Sequence, residues 1–308
     1  MREFKILIVL VFFSLLVYWG VEPYALSKME KHVAPATFTY NDLKPINYKG
    51  DPSKGKLLIV NAGCTGCHGI KAANLPSPMS KENASASFGI APPDLSDAGY
   101  LYNAKFLKHF ILNPSHTMLN QMKFSKQHPF PMPKFFGTGG NKEQEVSDIV
   151  AYLKSISPKR LGNKKVFEAA CGRCHNMKYD KWSSLGMLPK FKTQTQKLEY
   201  AVKVSKYQDN LKKYLGALPP DLSIIIRAKN KEFLKDFIND PQVLLPNTSM
   251  PRVGLTKQST EQVIKYFEKV GDKKKVQRET LIPKIIGYLI IFTLFAYLWK
   301  AKLWKELH

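Results

Sequence analysis

Hydrophobic positions along this chain follow two different patterns, unbroken runs near the ends and helical spacing between them. An uncharged run extends from Ile6 to Val21 behind Met1-Arg2-Glu3-Phe4-Lys5, and a second, interrupted only by Lys284, extends from Leu281 to Trp299. As helices rising ~1.5 Å per residue they span about 24 Å and about 27 Å, close to a bilayer's hydrocarbon core of about 30 Å. Residues 56–62 and 163–169 each read as a helix ending near a cysteine, and residues 148–153 and 261–267 as amphipathic helices. Residues 21–52, with Pro23, Pro35 and Pro45, show no period and read as a leader on the membrane-facing side of the first helical unit. The pattern predicts an all-α chain: apolar segment 1–24, leader 25–52, helical units 53–157 and 158–272, basic linker 273–280, transmembrane helix 281–300 and tail 301–308.

The two units repeat one another. Gly55 stands nine residues before Cys64, and Gly162 nine before Cys171. Pro92-Pro93-Asp94-Leu95-Ser96 recurs as Pro219-Pro220-Asp221-Leu222-Ser223, and Phe106-Leu107-Lys108-His109-Phe110-Ile111 as Phe233-Leu234-Lys235-Asp236-Phe237-Ile238, both at an offset of 127. The second unit carries extra residues between 176 and 217, rich in lysine and holding Tyr179, Trp182, Tyr200, Tyr207 and Tyr214. These read as a solvated helix with its aromatic stems in the core.

All four cysteines lie in two copies of one motif, Cys64-Thr65-Gly66-Cys67-His68 and Cys171-Gly172-Arg173-Cys174-His175. CxxCH is the spacing that attaches a c-type haem: two thiols on one turn add to the porphyrin vinyl groups, and the adjacent imidazole lies under the iron. Paired CxxC motifs also hold zinc, and exported cysteines form disulfides. Neither needs a histidine directly after both pairs, so two covalently bound haem c groups are the expectation.

The order helix, CxxCH, Pro-x-Leu, helix, Met-Pro, helix resembles the class I cytochrome c domain, in two tandem units covering about 220 residues. The resemblance implies that His68 and His175 ligate iron, that the carbonyls of Pro93 and Pro220 orient those imidazoles, and that Leu95 and Leu222 pack on the haem faces. It makes Met250, in Met250-Pro251, the sixth ligand of the second unit. In the first unit Met132-Pro133 stands in the same context, and Met132 is assigned by it. Met118 and Met122 are read as packing residues, and His109, His116 and His128 as exposed or locally bonded.

Charge changes the picture only modestly. Lys and Arg number 47 against 24 Asp and Glu, for a net charge of +23. The lysines are dispersed and no nucleic-acid-reading motif is present, so the excess reads mainly as solvated surface. Arg2 and Lys5 hold the amino end on the cytoplasmic side whether Ile6–Val21 is a signal peptide, cleaved near Ala25-Leu26-Ser27, or an anchor with Tyr18 and Trp19 at the interface. Covalent haem places both units outside the cytoplasmic membrane, on the periplasmic side, with the last residues inside.

Two exported haem units with a carboxy-terminal anchor resemble the cytochrome c1 subunit of a bacterial quinol-cytochrome c oxidoreductase in its dihaem form. That resemblance implies cytochrome b and a Rieske iron-sulfur protein as partners. The subunit would have no catalytic site of its own and would pass single electrons to a soluble cytochrome c or terminal oxidase. The alternatives are the dihaem subunit of a cbb-type oxidase, whose anchor is expected at the amino end, and a dihaem peroxidase or thiosulfate dehydrogenase, which needs an open iron site.

Overall fold

The computed structural model describes residues 2–25, 36–119, 123–125 and 127–307. Helix α1 (Arg2–Leu16) continues through a π-helical turn at Val17–Val21, and all of its described residues are exposed. Helices α2 (Pro52–Asn61), α3 (Lys81–Phe88), α4 (Ala98–Leu101), α5 (Ala104–Leu112), α6 (Pro114–Thr117) and α7 (Lys142–Ile156) form the first helical segment. α8 (Asn163–Ala170), a two-stranded ribbon of β1 (Trp182–Ser183) and β2 (Gly186–Met187), α9 (Gln194–Leu215), α10 (Ile225–Ala228), α11 (Lys231–Asn239), α12 (Pro241–Leu244) and α13 (Lys257–Gly271) form the second. α14 (Lys275–Leu307) ends the chain.

In the first segment α2 packs along α7. Asp51 caps α2 by accepting from the Ser53 and Lys54 amides, so the helix begins before Gly55 rather than after it. Gly55 is buried at the crossing, where a Cβ would lie 2.0 Å from the Asp148 carbonyl oxygen. The glycine therefore permits the two backbones to touch. Ile59, Ile70, Leu107, Ile111, Val146, Ile149, Val150 and Leu153 close this core. In the second segment α8 packs on α13, and Val166, Phe167, Met177, Leu234, Ile238, Val263, Ile264 and Phe267 form its core.

Local geometry recurs at the repeat offsets. Asn103 and Asn230 cap α5 and α11, each nine residues long, and Asn113 and Asp240 close them at φ −151°, ψ 85° and φ −150°, ψ 92°. Asn74 and Lys181, each seven residues after the second cysteine of its motif, take left-handed φ values of 56° and 55°. The Ser96 hydroxyl accepts from the Ala72 amide, as the Ser223 hydroxyl does from the Tyr179 amide.

The segments are joined by contacts that periodicity did not announce. Leu101 from α4 is buried in the second core, Tyr102 bridges to Leu255, and the Gly254 carbonyl accepts from the Asn103 amide. α9 lies on α3, where Tyr207, Leu211, Tyr214 and Leu215 are buried with Ala84 and Ala91. The aromatic stems of the extra residues thus pack against the first segment. The leader also departs from expectation: Tyr40 and Leu43 pack on Phe106, the Tyr40 hydroxyl donates to the Leu255 carbonyl, and Asp42 pairs with Arg252. It spans both segments. Residues 275–280, expected as linker, are instead the first turns of α14.

Among the described residues two helices are long and apolar enough to cross a membrane, Glu3–Ala25 and Lys275–Lys305, though a signal sequence passes the same test for the first. Lys300 and Glu3 form an ion pair. The start of α1 therefore lies beside the end of α14.

Candidate functional site

Each CxxCH motif follows directly from a helix that packs on its segment's closing helix. α2 gives way at Gly63, in the left-handed region at φ 74°, to a 3-10 turn at Cys64–Gly66, and the His68 amide bonds the Cys64 carbonyl at 3.0 Å. α8 ends at Cys171, and the His175 amide bonds the Cys171 carbonyl at 3.0 Å. Each turn brings both thiols and the imidazole onto one short arc of backbone. All four cysteines are free and half-buried. Burial pushes the Cys171 thiol up to about 12 and raises Cys64 and Cys174, so these groups are neutral before any covalent step. Among the described residues no group of three or more His, Cys, Asp or Glu side chains is placed to hold a metal ion.

His68 Nδ1 lies 2.8 Å from the Pro93 carbonyl oxygen, and His175 Nδ1 lies 2.8 Å from that of Pro220. A carbonyl only accepts, so each Nδ1 carries the proton and donates it, leaving Nε2 with a free lone pair. Burial pulls both imidazoles below the ordinary histidine range, against the raising effect of the carbonyl bond. Each ring is thus neutral and locked in the tautomer that ligates a metal through Nε2. The prolines stay in place because the next residues are themselves bonded. The Leu95 amide donates to Gly69 and the Leu222 amide to Asn176, while Asp94 and Asp221 cap the following serine amides.

Cys64, Leu95 and Met132 each pack against the first core, and Cys171 and Leu222 against the second. Met132 is half-buried in the loop before α7. Downstream, the loop is held by Glu145 of α7, which accepts from the Thr138 amide and hydroxyl and from the Gly140 amide. Met250 is half-buried in the loop between α12 and α13. Gln242 holds this loop through Thr248 and Asn247, and Arg252 is fixed by Asp42 and by its own amide on the Met118 carbonyl. Met118 is half-buried, and Met122 lies outside the described residues, as does the Leu26-Ser27 part of the cleavage spacing. His109 bonds the Lys44 carbonyl through Nε2 at 2.7 Å, and His128 stacks on Phe124, so both are locally engaged.

Residues 52–157 match the cytochrome c family. This segment is a cytochrome c domain. A cytochrome c from Theileria annulata is 28% identical over 118 residues, covering 36% of this chain and 90% of that protein. No solved structure matches the chain. A cytochrome c domain implies covalently bound haem c and electron transfer, and the donor set of the first motif fits that group: two free thiols, and an imidazole whose Nε2 is the available nitrogen.

Sequence reasoning missed four residues that shape these sites. Tyr102 is half-buried and packs against the cores of both segments, although it belongs to the first. Arg173 reaches the Ala91 carbonyl, Tyr207 bonds both Ala91 and Arg173, and Arg252 stacks on Tyr40. Only Arg173 carried a signal, a cation between the two cysteines of an attachment motif.

Proposed function

We propose that this chain is a membrane-anchored dihaem cytochrome c that relays single electrons, the cytochrome c1-type subunit of a quinol-cytochrome c oxidoreductase. The observation that carries the two-haem reading is the identical histidine-to-proline bond, 2.8 Å in both motifs, set in backbone that repeats at fixed offsets. His68 and His175 would hold the two irons, and Met132 and Met250 would complete their ligand sets. Haem iron supplies one-electron chemistry, cycling between ferric and ferrous. A histidine-methionine pair closes the iron to substrate and raises its potential, which suits a relay rather than a peroxidase.

Anchoring draws its support from the two apolar helices, and the Glu3–Lys300 pair, which brings the start of α1 beside the end of α14, supports a reading with both ends of the chain on one side of a bilayer. The haem-bearing segments then lie on the other side, the periplasmic face of a cytoplasmic membrane. Cytochrome b and a Rieske protein are the proposed neighbours, and a soluble cytochrome c or terminal oxidase the acceptor. Purification from membranes in mild detergent tests the reading, with haem counted per chain and the co-purifying cofactors identified. Two haem c per chain with b-type haem and an iron-sulfur centre are expected. One haem per chain refutes the dihaem reading, and recovery with a copper oxidase core refutes the quinol-oxidising complex. Exchanging Met132 or Met250 for a side chain that cannot ligate should remove the thioether-to-iron band and lower the potential of one haem at a time.

A further inference from the structure

The second attachment motif is bonded to the loop that orients the first motif's histidine. Arg173 stands between Cys171 and Cys174, and its Nη1 donates to the Ala91 carbonyl at 2.9 Å. Ala91 is two residues before Pro93, whose carbonyl holds His68. The Tyr207 hydroxyl closes a ring, accepting from the Ala91 amide at 3.3 Å and donating to the Arg173 carbonyl at 3.1 Å. Ala91 and Tyr207 are 2% and 1% exposed, so the bond between them is shielded from water, while Arg173 itself is half-buried. Arg173 Nε is also buried and has no partner among the described residues.

A guanidinium stays charged at every accessible pH, and in a partly dehydrated setting its field is weakly screened. Arg173 directly precedes Cys174, and its bond to Ala91 sets it two residues along the chain from the Pro93 carbonyl that holds His68. We propose that Arg173, held against Ala91 by Tyr207, couples the two haem-attachment motifs, so that one positive charge raises the redox potential of both haems. Adding an electron to ferric iron lowers the site's net charge by one unit, and a nearby cation favours that state. Arg173 acts here as a positioning and electrostatic residue, apart from the ligands themselves. The inference rests on the two-haem reading.

The test is a redox titration of full-length Arg173→Gln in detergent, with the two haems resolved by their paramagnetic methyl resonances. Both midpoint potentials are expected to fall. A fall confined to the second haem, or none, overturns the proposal. Should Gln at 173 prevent haem uptake, Tyr207→Phe serves, since it keeps every charge but opens the ring that holds Arg173 to Ala91. It should lower the first haem's potential by a smaller amount, and an unmoved value overturns the proposal. The haem count keeps the two failures apart: one haem per chain sinks the dihaem reading, whereas two haems with an unmoved first potential sink only the coupling.

Discussion

Replacing Asp42 by asparagine should loosen the second segment from a residue that precedes both helical segments. Asp42 grips Arg252 with two bonds of 2.7 Å, one from each guanidinium terminal nitrogen, and the guanidinium carbon sits 4.7 Å above the Tyr40 ring. The Arg252 side chain is 4% exposed and that of Asp42 49% exposed. Breaking a fully buried pair costs about 3–5 kcal/mol, and a hydrogen bond to a charged group contributes about 1.5–3 kcal/mol. Asparagine keeps one acceptor oxygen, and water reaches the open side of the pair, so the cost here is about 2 kcal/mol. For a denaturant dependence of about 3 kcal/mol/M in urea, the midpoint falls by roughly 0.7 M. Urea unfolding of the full chain followed by helical circular dichroism reads this directly. On the two-haem reading proposed above, with Met250 two residues from Arg252 as a ligand, the second haem's thioether-to-iron band should weaken while the first haem's persists. An unchanged midpoint refutes the reasoning, as does a loss confined to the first haem. The pH dependence has a definite sign. The Arg252 bond holds the Asp42 carboxyl below its usual range, so the stabilisation is complete above the unfolded carboxylate pKa of about 4 and is lost as pH falls through the lower folded value. The gap between wild type and Asp42→Asn should be constant near neutrality and should shrink below about pH 4.

Two glycines give further tests. Gly254 has φ 78°, and a Cβ there would lie 2.0 Å from the Phe106 ring, so Gly254→Ala should cost about 2–5 kcal/mol from backbone strain and overpacking together. Calorimetry should show a lowered Tm, and an unchanged one removes the close approach of loop and ring. Gly55→Ala sets two effects against each other: helix propensity favours alanine by about 1 kcal/mol, whereas the 2.0 Å approach to the Asp148 carbonyl forces α2 off α7. Overpacking should win, lowering the thermal midpoint of the haem-loaded protein. A rise would mean that propensity governs this position.

Legibility in the sequence followed the distance over which a contact acts. The CxxCH turns and the closing helices were visible because each depends on neighbours a few positions away, whereas the Pro93 and Pro220 carbonyls, 25 and 45 positions from His68 and His175, were expected only through the family resemblance. Gly55 was visible as a repeat marker but not as a contact, since the Asp148 carbonyl it meets is 93 residues on. The Ala91–Arg173 and Tyr40–Leu255 bonds join residues 82 and 215 positions apart, and such pairs leave no periodic trace. The linker was misread for a related reason. Lys273, Lys274, Lys275 and Arg278 look like a solvated charge run, yet Lys275 pairs with Glu268 and Arg278 with Asp272, which lets a helix form there.

That junction decides what can move. Only residues 272–274 separate α13 from α14, and Asp272 is gripped by Arg278 at 2.7 Å from one side and by Arg227 at 3.7 Å from the other. Glu268 adds a second tie, taking both Lys231 and Lys275. The last helix is a mast, not a leash: whatever holds α14 also fixes the height and facing of the electron-carrying body. A body without slack cannot swing between a donor and an acceptor. In the relay proposed above, movement between donor and acceptor would then fall to other molecules.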